Sequence, residues 1–294
     1  MENILLGKYK KVNRPLILDG AIGSLLISKG IEPDKYLWSS IANLTNPGAI
    51  TEIHLDYIKA GAEIITTNTF RTNPLTIKLS GYDIDENKLV KNSVELATRL
   101  KNDYDIFVAG SNAPAEDCYQ AERTANKYEL EYNHKKHIEL LYENGCDFIL
   151  NETQSHLDEI LIISKFCSEN NIPFVISFYF DHNLKLLSGE PLFEAVQISL
   201  DFNPLAISFN CVPPEDFETF IKKFTPDFNW GFYLNCGVGE PTDEIISCSL
   251  SPKEYLTGLK RWLPFNPLFV GACCGSNPDH IKIIKEYLDG KINS

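Results

Sequence analysis

The sequence predicts an α/β protein, a single (β/α)8 TIM barrel over residues 1–294. Short apolar, β-branched or aromatic runs end in small or polar residues, and an amphipathic stretch follows each. Such alternation implies parallel strands with helices outside them. The runs number eight, and the chain length suits a barrel of typically about 250 residues. A doubly wound sheet, the other fold with this alternation, would carry a Gly-rich phosphate turn after its first strand. None is present.

In order, the runs are PLILDG (15–20), EIITTNTF (63–70), DIFVAGSN (105–112), DFILNET (147–153), PFVISFYF (173–180), PLAISFNC (204–211), WGFYLNCG (230–237) and LFVGACCG (268–275). The segment NPGAITEIHLDYIKAG has Pro near its start and Gly at its end, the usual helix asymmetry. Helical patterns also read in ENKLVKNSVELATRLKND, LEYNHKKHIELLYENG, SHLDEILIISKFCSENN, PLFEAVQISLDFN, PEDFETFIKKFT, SPKEYLTGLKRWL and NPDHIKIIKEYLDG. The stretch 113–130, APAEDCYQAERTANKYEL, is polar and long for a strand-to-helix loop. Such loops often cover an active site.

Composition narrows the function. Hydrophobic residues make up 44% and charged residues 23%, enough for a full core. The formal net charge of −13 argues against nucleic acid or an anionic membrane as partner, since either needs clustered Lys and Arg. No apolar run reaches the roughly 18 residues of a membrane span, and no signal-peptide pattern opens the chain. The expectation is a soluble, cytoplasmic protein acting on small molecules; oligomeric state is not legible. Eight cysteines are too sparse for a disulfide scaffold. In a reducing compartment, clustered ones are more often metal ligands or catalytic.

Barrel chemistry sits at the C-terminal strand ends. Those ends carry Asp19, Thr67–Asn68, Ser111–Asn112, Asn151–Glu152, Ser177, Asn210–Cys211, Asn235 and Cys273–Cys274. Strands six and eight flank strand seven, so Cys211 and the 273–274 pair can converge. Three thiolates form a natural zinc set with a fourth position left for water or substrate. Adjacent cysteines on a regular strand point to opposite faces, so shared ligation requires the strand to end at Cys273. Gly275 permits a turn there. Asn277 then reads as an N-cap and Pro278 as the first helical residue, and the positive helix end would favour thiolates. Spacing alone leaves core packing and a vicinal disulfide open beside metal ligation. Cys118, Cys146, Cys167, Cys236 and Cys248 read as small core residues.

The stretches LILDGAIGSLL, HLDYIKAGAEIITTNTF, ILNET, SFNC and GACCGSNPDHI, in this order, resemble the homocysteine S-methyltransferases. That group includes S-methylmethionine- and betaine-dependent enzymes and the homocysteine module of cobalamin-dependent methionine synthase. The resemblance implies a barrel with a catalytic zinc held by Cys211, Cys273 and Cys274. It implies that Asp19 and Glu152 hold the homocysteine ammonium, and that backbone amides after Asp19, at Ala21 and Ile22, hold its carboxylate, with Asn68 nearby. Asn235 matches a residue that fills the fourth zinc position without substrate in some members. His54, His137 and the other histidines show no ligand spacing and read as helix-surface or packing residues.

The implied reaction is methyl transfer to homocysteine, giving methionine. A free thiol with pKa near 8.5 is mostly protonated at neutral pH, and zinc coordination removes that proton. A donor methyl needs a good leaving group, such as a sulfonium or quaternary ammonium. A cationic donor suits an aromatic wall, for which Trp38 and Phe70 are the candidates. S-methylmethionine or S-adenosylmethionine is favoured, because KYLWSS and HLDYIKAGAE look most like that branch. The third strand departs from it, leading into AGSNAPAEDCYQAE where the branch has a Gly-containing GP turn. That leaves the donor open. Alternatives are another thiol or selenol as acceptor, a methylated corrinoid protein as donor, and a non-catalytic zinc-binding barrel.

Overall fold

The computed structural model describes residues 2–238, 247–248 and 250–292, with backbone alone at 237, 238, 247 and 248. The eight hydrophobic runs become parallel strands. They are β1 Leu16–Ile17, β2 Ile64–Thr66, β3 Phe107–Asn112, β4 Phe148–Gln154, β5 Phe174–Phe178, β6 Ala206–Asn210, β7 Trp230–Leu234 and β8 Phe269–Ala272. Each of β2 to β7 pairs with the next in parallel, and β8 pairs with both β7 and β1. Between β1 and β2 the Glu63 N–H donates to the Ile17 carbonyl at 2.7 Å, and the Asp19 N–H to the Ile64 carbonyl at 2.9 Å. A parallel bridge joins Leu18 to Ile64. The sheet therefore closes into the (β/α)8 barrel, whose closure removes free edges.

Several strands are shorter than the runs that predicted them. PLILDG yields two strand residues, and EIITTNTF stops at Thr66. Beyond those points side chains replace the backbone ladder. The Thr66 N–H, for instance, donates to Asp19 Oδ2 at 2.8 Å. A two-stranded antiparallel ribbon, Gly237–Val238 with Ser247–Cys248, follows β7 and was not expected.

Strand alternation builds two apolar layers. Leu16, Leu18, Phe148, Leu150, Val175, Ala206, Tyr233 and Phe269 share the interior cluster. Ile17, Ile149, Ile176, Ile207 and Phe232 pack outward into the helices. The helix Pro47–Ala60 has Pro in its first turn and ends at Gly61, φ 112°, as the sequence pattern predicts. The helix Lys127–Glu143 starts earlier than its apolar period suggests, because Asn126 and Glu129 form a capping box.

A helix Ile4–Val12 precedes the barrel and was not foreseen. Asn3 caps it, and its Nδ2 donates to the Leu205 carbonyl just before β6 at 2.7 Å. Leu5 is fully buried in the interior cluster. The helix thus covers the end of the barrel opposite the strand C-termini. Among the described residues no helix is long and apolar enough to cross a membrane.

Candidate active site

The C-terminal ends of β6 and β8 bring the three expected cysteines together. β8 stops at Ala272, although the Cys273 N–H still donates to the Leu234 carbonyl at 2.8 Å. Cys273 keeps the inward parity of Phe269 and packs on the interior cluster. Cys274 would face outward on a continuing strand. Instead Gly275, φ 80°, turns the chain, and the Cys236 N–H fixes that turn by donating to the Cys274 carbonyl at 3.0 Å. The Asn277 side chain accepts from the Asp279 N–H at 3.0 Å and opens the helix Pro278–Leu288.

On the neighbouring strand, Cys211 adopts φ 55°. This left-handed conformation is uncommon for a residue with a Cβ, and it ends β6. The Cys274 sulfur lies 3.8 Å from Cys211 Sγ and 3.9 Å from Cys273 Sγ. Cys211 and Cys273 are joined as a disulfide, so the pair is not a vicinal bridge. All three sulfurs lie within 4.8 Å of one another, a grouping able to hold a metal ion. Burial pushes the Cys274 thiol up to about 11, and the nearby Glu152 adds to the effect. A bound cation is what this site needs to hold thiolate. The reduced donor set therefore fits a metal ion.

A cavity of about 590 Å³ opens over these sulfurs. Asp19 and Glu152 both line it. Phe148, Leu150 and Glu152 share the interior face of β4 by period two. A bulge follows, where the register against β5 shifts between Asn151 and Gln154 and Thr153 takes φ 58°. Ser111 Oγ donates to Glu152. Burial pushes Glu152 up to about 7, opposed by that hydrogen bond. Burial also holds the Asp19 carboxyl well above its usual range, opposed by two Thr66 hydrogen bonds and reinforced by Glu152. Two such carboxyls form a receptor for a cation, because a bound ammonium favours their ionised forms.

Tyr233, which no sequence signal singled out, completes this floor. Its hydroxyl is buried and its side chain lines the cavity. Glu152 and Ser177 are its neighbours, but neither meets it with hydrogen-bond geometry, so the hydroxyl is without a partner. An orphan buried hydroxyl costs stability unless a ligand satisfies it.

The remaining expected residues lie around this floor. The Ala21 N–H is already engaged, donating to Ser276 Oγ at 2.9 Å, and the Ala21 carbonyl accepts from Tyr57 at 2.8 Å. Ile22 lines the cavity just before the helix Gly23–Ser28. Asn68 lines it too, but its Nδ2 donates to the Ser39 carbonyl at 3.0 Å and to Asn43 at 3.2 Å. It ties down the segment 39–43 rather than presenting its amide to substrate. Asn235 is half-buried past β7 and is not part of the cavity lining.

Trp38 and Phe70 form the aromatic wall, edge to face with centroids 6.2 Å apart. Trp38 is held at φ 46°, ψ −131°, a region sparsely populated by residues with a Cβ, such as functional sites retain. Its ring lies so close over Gly23 that a side chain there would collide with it. The loop after β3 contributes Ala115 to Gln120 to the cavity, so the polar stretch lines the site. Arg123 pins it through Asp158 and Glu159, each at 2.6 Å. Cys118 is buried on that loop and Cys236 is fully buried beneath the sulfur turn. Cys146 and Cys167 are core residues as expected, and the side chain of Cys248 lies outside the described residues. His54, His134 and His137 are buried rather than at the helix surface. His134 bonds Glu159 at 2.6 Å, and His137 bonds Asn112 and Thr72 at 2.8 and 2.9 Å.

Residues 16–288 match the family model described as homocysteine S-methyltransferase. The chain belongs to the homocysteine S-methyltransferase family. Homocysteine S-methyltransferase 2 of Arabidopsis thaliana is 23% identical, over 92% of this chain and 92% of its own. The homocysteine S-methyltransferase of Escherichia coli strain K12 is 26% identical over 92% of this chain and 94% of its own. A selenocysteine Se-methyltransferase of Brassica oleracea var. italica is 23% identical, over 92% and 88%. The metallated form of the E. coli homocysteine methyltransferase MmuM superposes with a TM-score of 0.80 at 23% identity, over 96% of this chain and 99% of that one. At that identity the superposition speaks for the fold. Within this homocysteine S-methyltransferase fold, the residues that sequence reasoning missed are Tyr233 and Thr66. They were missed because Tyr and Thr at strand positions read as ordinary strand residues.

Proposed function

We propose that the protein transfers a methyl group from a cationic donor, S-methylmethionine or S-adenosylmethionine, to the thiol of homocysteine, releasing methionine. One observation supports this most: the three converging sulfurs of Cys211, Cys273 and Cys274 share a cavity with the buried carboxyls of Asp19 and Glu152. A single small amino acid would meet the sulfurs with its thiol and the carboxyls with its ammonium.

Cys211, Cys273 and Cys274 would hold zinc, which when bound ionises an incoming thiol and keeps it as a thiolate nucleophile. Asp19 and Glu152 would take the substrate ammonium. Its positive charge lowers both carboxyls towards their usual range, so binding and ionisation are coupled. Tyr233 adds a hydroxyl that is free to bond the same substrate. Trp38 and Phe70 would present ring faces and edges to the donor and exclude water from the transfer. Loop residues 115–120, on the cavity wall, would help keep water from the transfer. The reading requires Cys211, Cys273 and Cys274 in their reduced thiol form. That requirement fits the cytoplasmic setting expected from the sequence.

The selenol of selenocysteine presents the same ammonium and a softer nucleophile, and relatives named for that substrate make it the second acceptor to try.

The test is metal analysis of the reduced protein together with methionine formation over a donor panel. Expected are about one zinc per chain and turnover with a sulfonium donor. Protein that binds no metal, or that keeps full turnover as Cys274→Ala, contradicts the reading. Turnover only with a methylated corrinoid protein replaces the donor. Zinc binding without turnover of any donor makes it a non-catalytic zinc barrel.

A further inference from the structure

Arg71 is a cation on the cavity wall that the proposed reaction does not yet use. It follows Phe70 past the end of β2, and its N–H donates to Ser40 Oγ at 3.2 Å. Its guanidinium lies 5.3 Å from the Phe70 ring centroid. Nη1 donates to the Glu116 carbonyl at 2.6 Å. These contacts fix the plane of the group yet occupy only one of its hydrogen-bond positions.

No described carboxylate forms an ion pair with Arg71. The acids of the neighbouring loop turn away from it. Glu116 accepts from the Thr124 and Ala125 amides at 2.9 and 3.0 Å, and Asp117 accepts from the Tyr119 amide at 2.9 Å. A half-buried guanidinium with most of its fork open is the shape that binds a carboxylate in two-point fashion.

The stacking also bears on the donor. A bare cation approaching Phe70 meets a guanidinium already over the ring. A zwitterion does not meet the same repulsion, because its carboxylate can lie against Arg71 while its sulfonium faces Trp38. The cavity, about 590 Å³, is within the range of small-molecule sites and is roomy for one small amino acid.

We propose that Arg71 is the specificity residue for the methyl donor, binding a carboxylate on it, so that the donor is a zwitterionic sulfonium rather than a bare cation. This rests on the methyltransfer reading above.

The experiment compares S-methylmethionine with its carboxamide, which keeps the sulfonium and loses the acid. Both are assayed with zinc-loaded protein at saturating homocysteine. The wild type should favour the acid by about tenfold to a hundredfold in kcat/KM. Arg71→Gln should reduce that preference to about twofold by raising the donor KM, with the homocysteine KM held. Arg71→Lys, which keeps the charge without the fork, should fall between them. A wild type that uses acid and amide equally overturns the proposal without recourse to any variant. So does an Arg71→Gln protein that keeps the wild-type preference, or that raises the homocysteine KM instead. Wild type that transfers methyl from neither compound overturns the sulfonium-donor reading itself, and Arg71's role with it.

Discussion

Asn210 grips Thr153 at two points: its Oδ1 accepts the Thr153 N–H at 2.9 Å and its Nδ2 donates to the Thr153 hydroxyl at 2.9 Å. Ser177 donates to the same Oδ1 at 2.7 Å. Thr153 is the left-handed residue of the β4 bulge, and Glu152 precedes it. Asn210 precedes Cys211 on β6. One side chain therefore ties the aim of the carboxyl to the strand that delivers a sulfur. Asn210→Ala should leave the buried Thr153 N–H unpaired, at a cost of about 1–3 kcal/mol. It should also release the bulge, raising the homocysteine KM about tenfold or more as Glu152 swings off line. Chemical denaturation and steady-state kinetics on the same sample check both. A stability loss with unaltered KM would show that the bulge holds without Asn210.

Cys236 and Cys274 are adjacent in space and should behave oppositely. Cys236 Sγ points at the Cys274 carbonyl, 3.4 Å away, and lies outside the sulfur cluster. Cys236→Ala should keep bound metal near one per chain and lose only the stability of a small core residue, about 1–2 kcal/mol. Cys274→Ala should lose most of the metal and turnover. Elemental analysis after dialysis against a mild chelator separates the two. Equal retention in both variants is the outcome that removes Cys274 from the ligand set.

The pH dependence follows from Glu152, pushed up to about 7 from an ordinary 4.5. Between those values the folded protein holds a proton that the unfolded chain has released. Stability from this group is therefore full below about 4.5 and declines as pH rises to about 7. Above that it stays flat. In metal-free protein, Glu152→Gln should abolish this decline, an effect of a few kcal/mol at most. The difference in unfolding free energy between wild type and variant at pH 5 and pH 8 is the measurement. A parallel shift at both pH values argues that the carboxyl is already ionised when folded.

Tyr233→Phe offers a cleaner separation of stability from binding. The hydroxyl has no partner in the protein alone, so its removal should leave the melting temperature unchanged or slightly higher. If the hydroxyl bonds homocysteine, its loss should raise the KM about tenfold, corresponding to about 1.4 kcal/mol. A marked fall in melting temperature with unchanged KM would identify the hydroxyl as structural.

The legible parts of the site share one property: they are local. Cys273, Cys274, Gly275, Asn277 and Pro278 lie within six positions. The turn and the helix cap that part the two sulfurs from strand geometry follow from the preferences of those residues. Asp19 and Glu152 were visible because they end apolar runs. The internal hydrogen bond of the Ala21 amide was hidden for the converse reason. Its partner, Ser276, is 255 positions away, so nothing in GAIGS shows that the N–H is taken. The bonds of Asn68 were hidden likewise, since Ser39 and Asn43 engage it only once the 39–43 segment folds over β2.

By itself, then, the sequence determined the period of strands and helices, the barrel they make, and the strand ends where three thiols and two carboxyls gather. Those follow from short-range periodicity, turn chemistry and caps, which act within a few residues. The tertiary structure alone decided which amides stayed open, where β4 bulges, that Cys211 turns left-handed, and that Tyr233 and Arg71 face the cavity with hydrogen-bonding capacity to spare. Each depends on contacts between segments distant in the chain, and burial gives each its energetic weight.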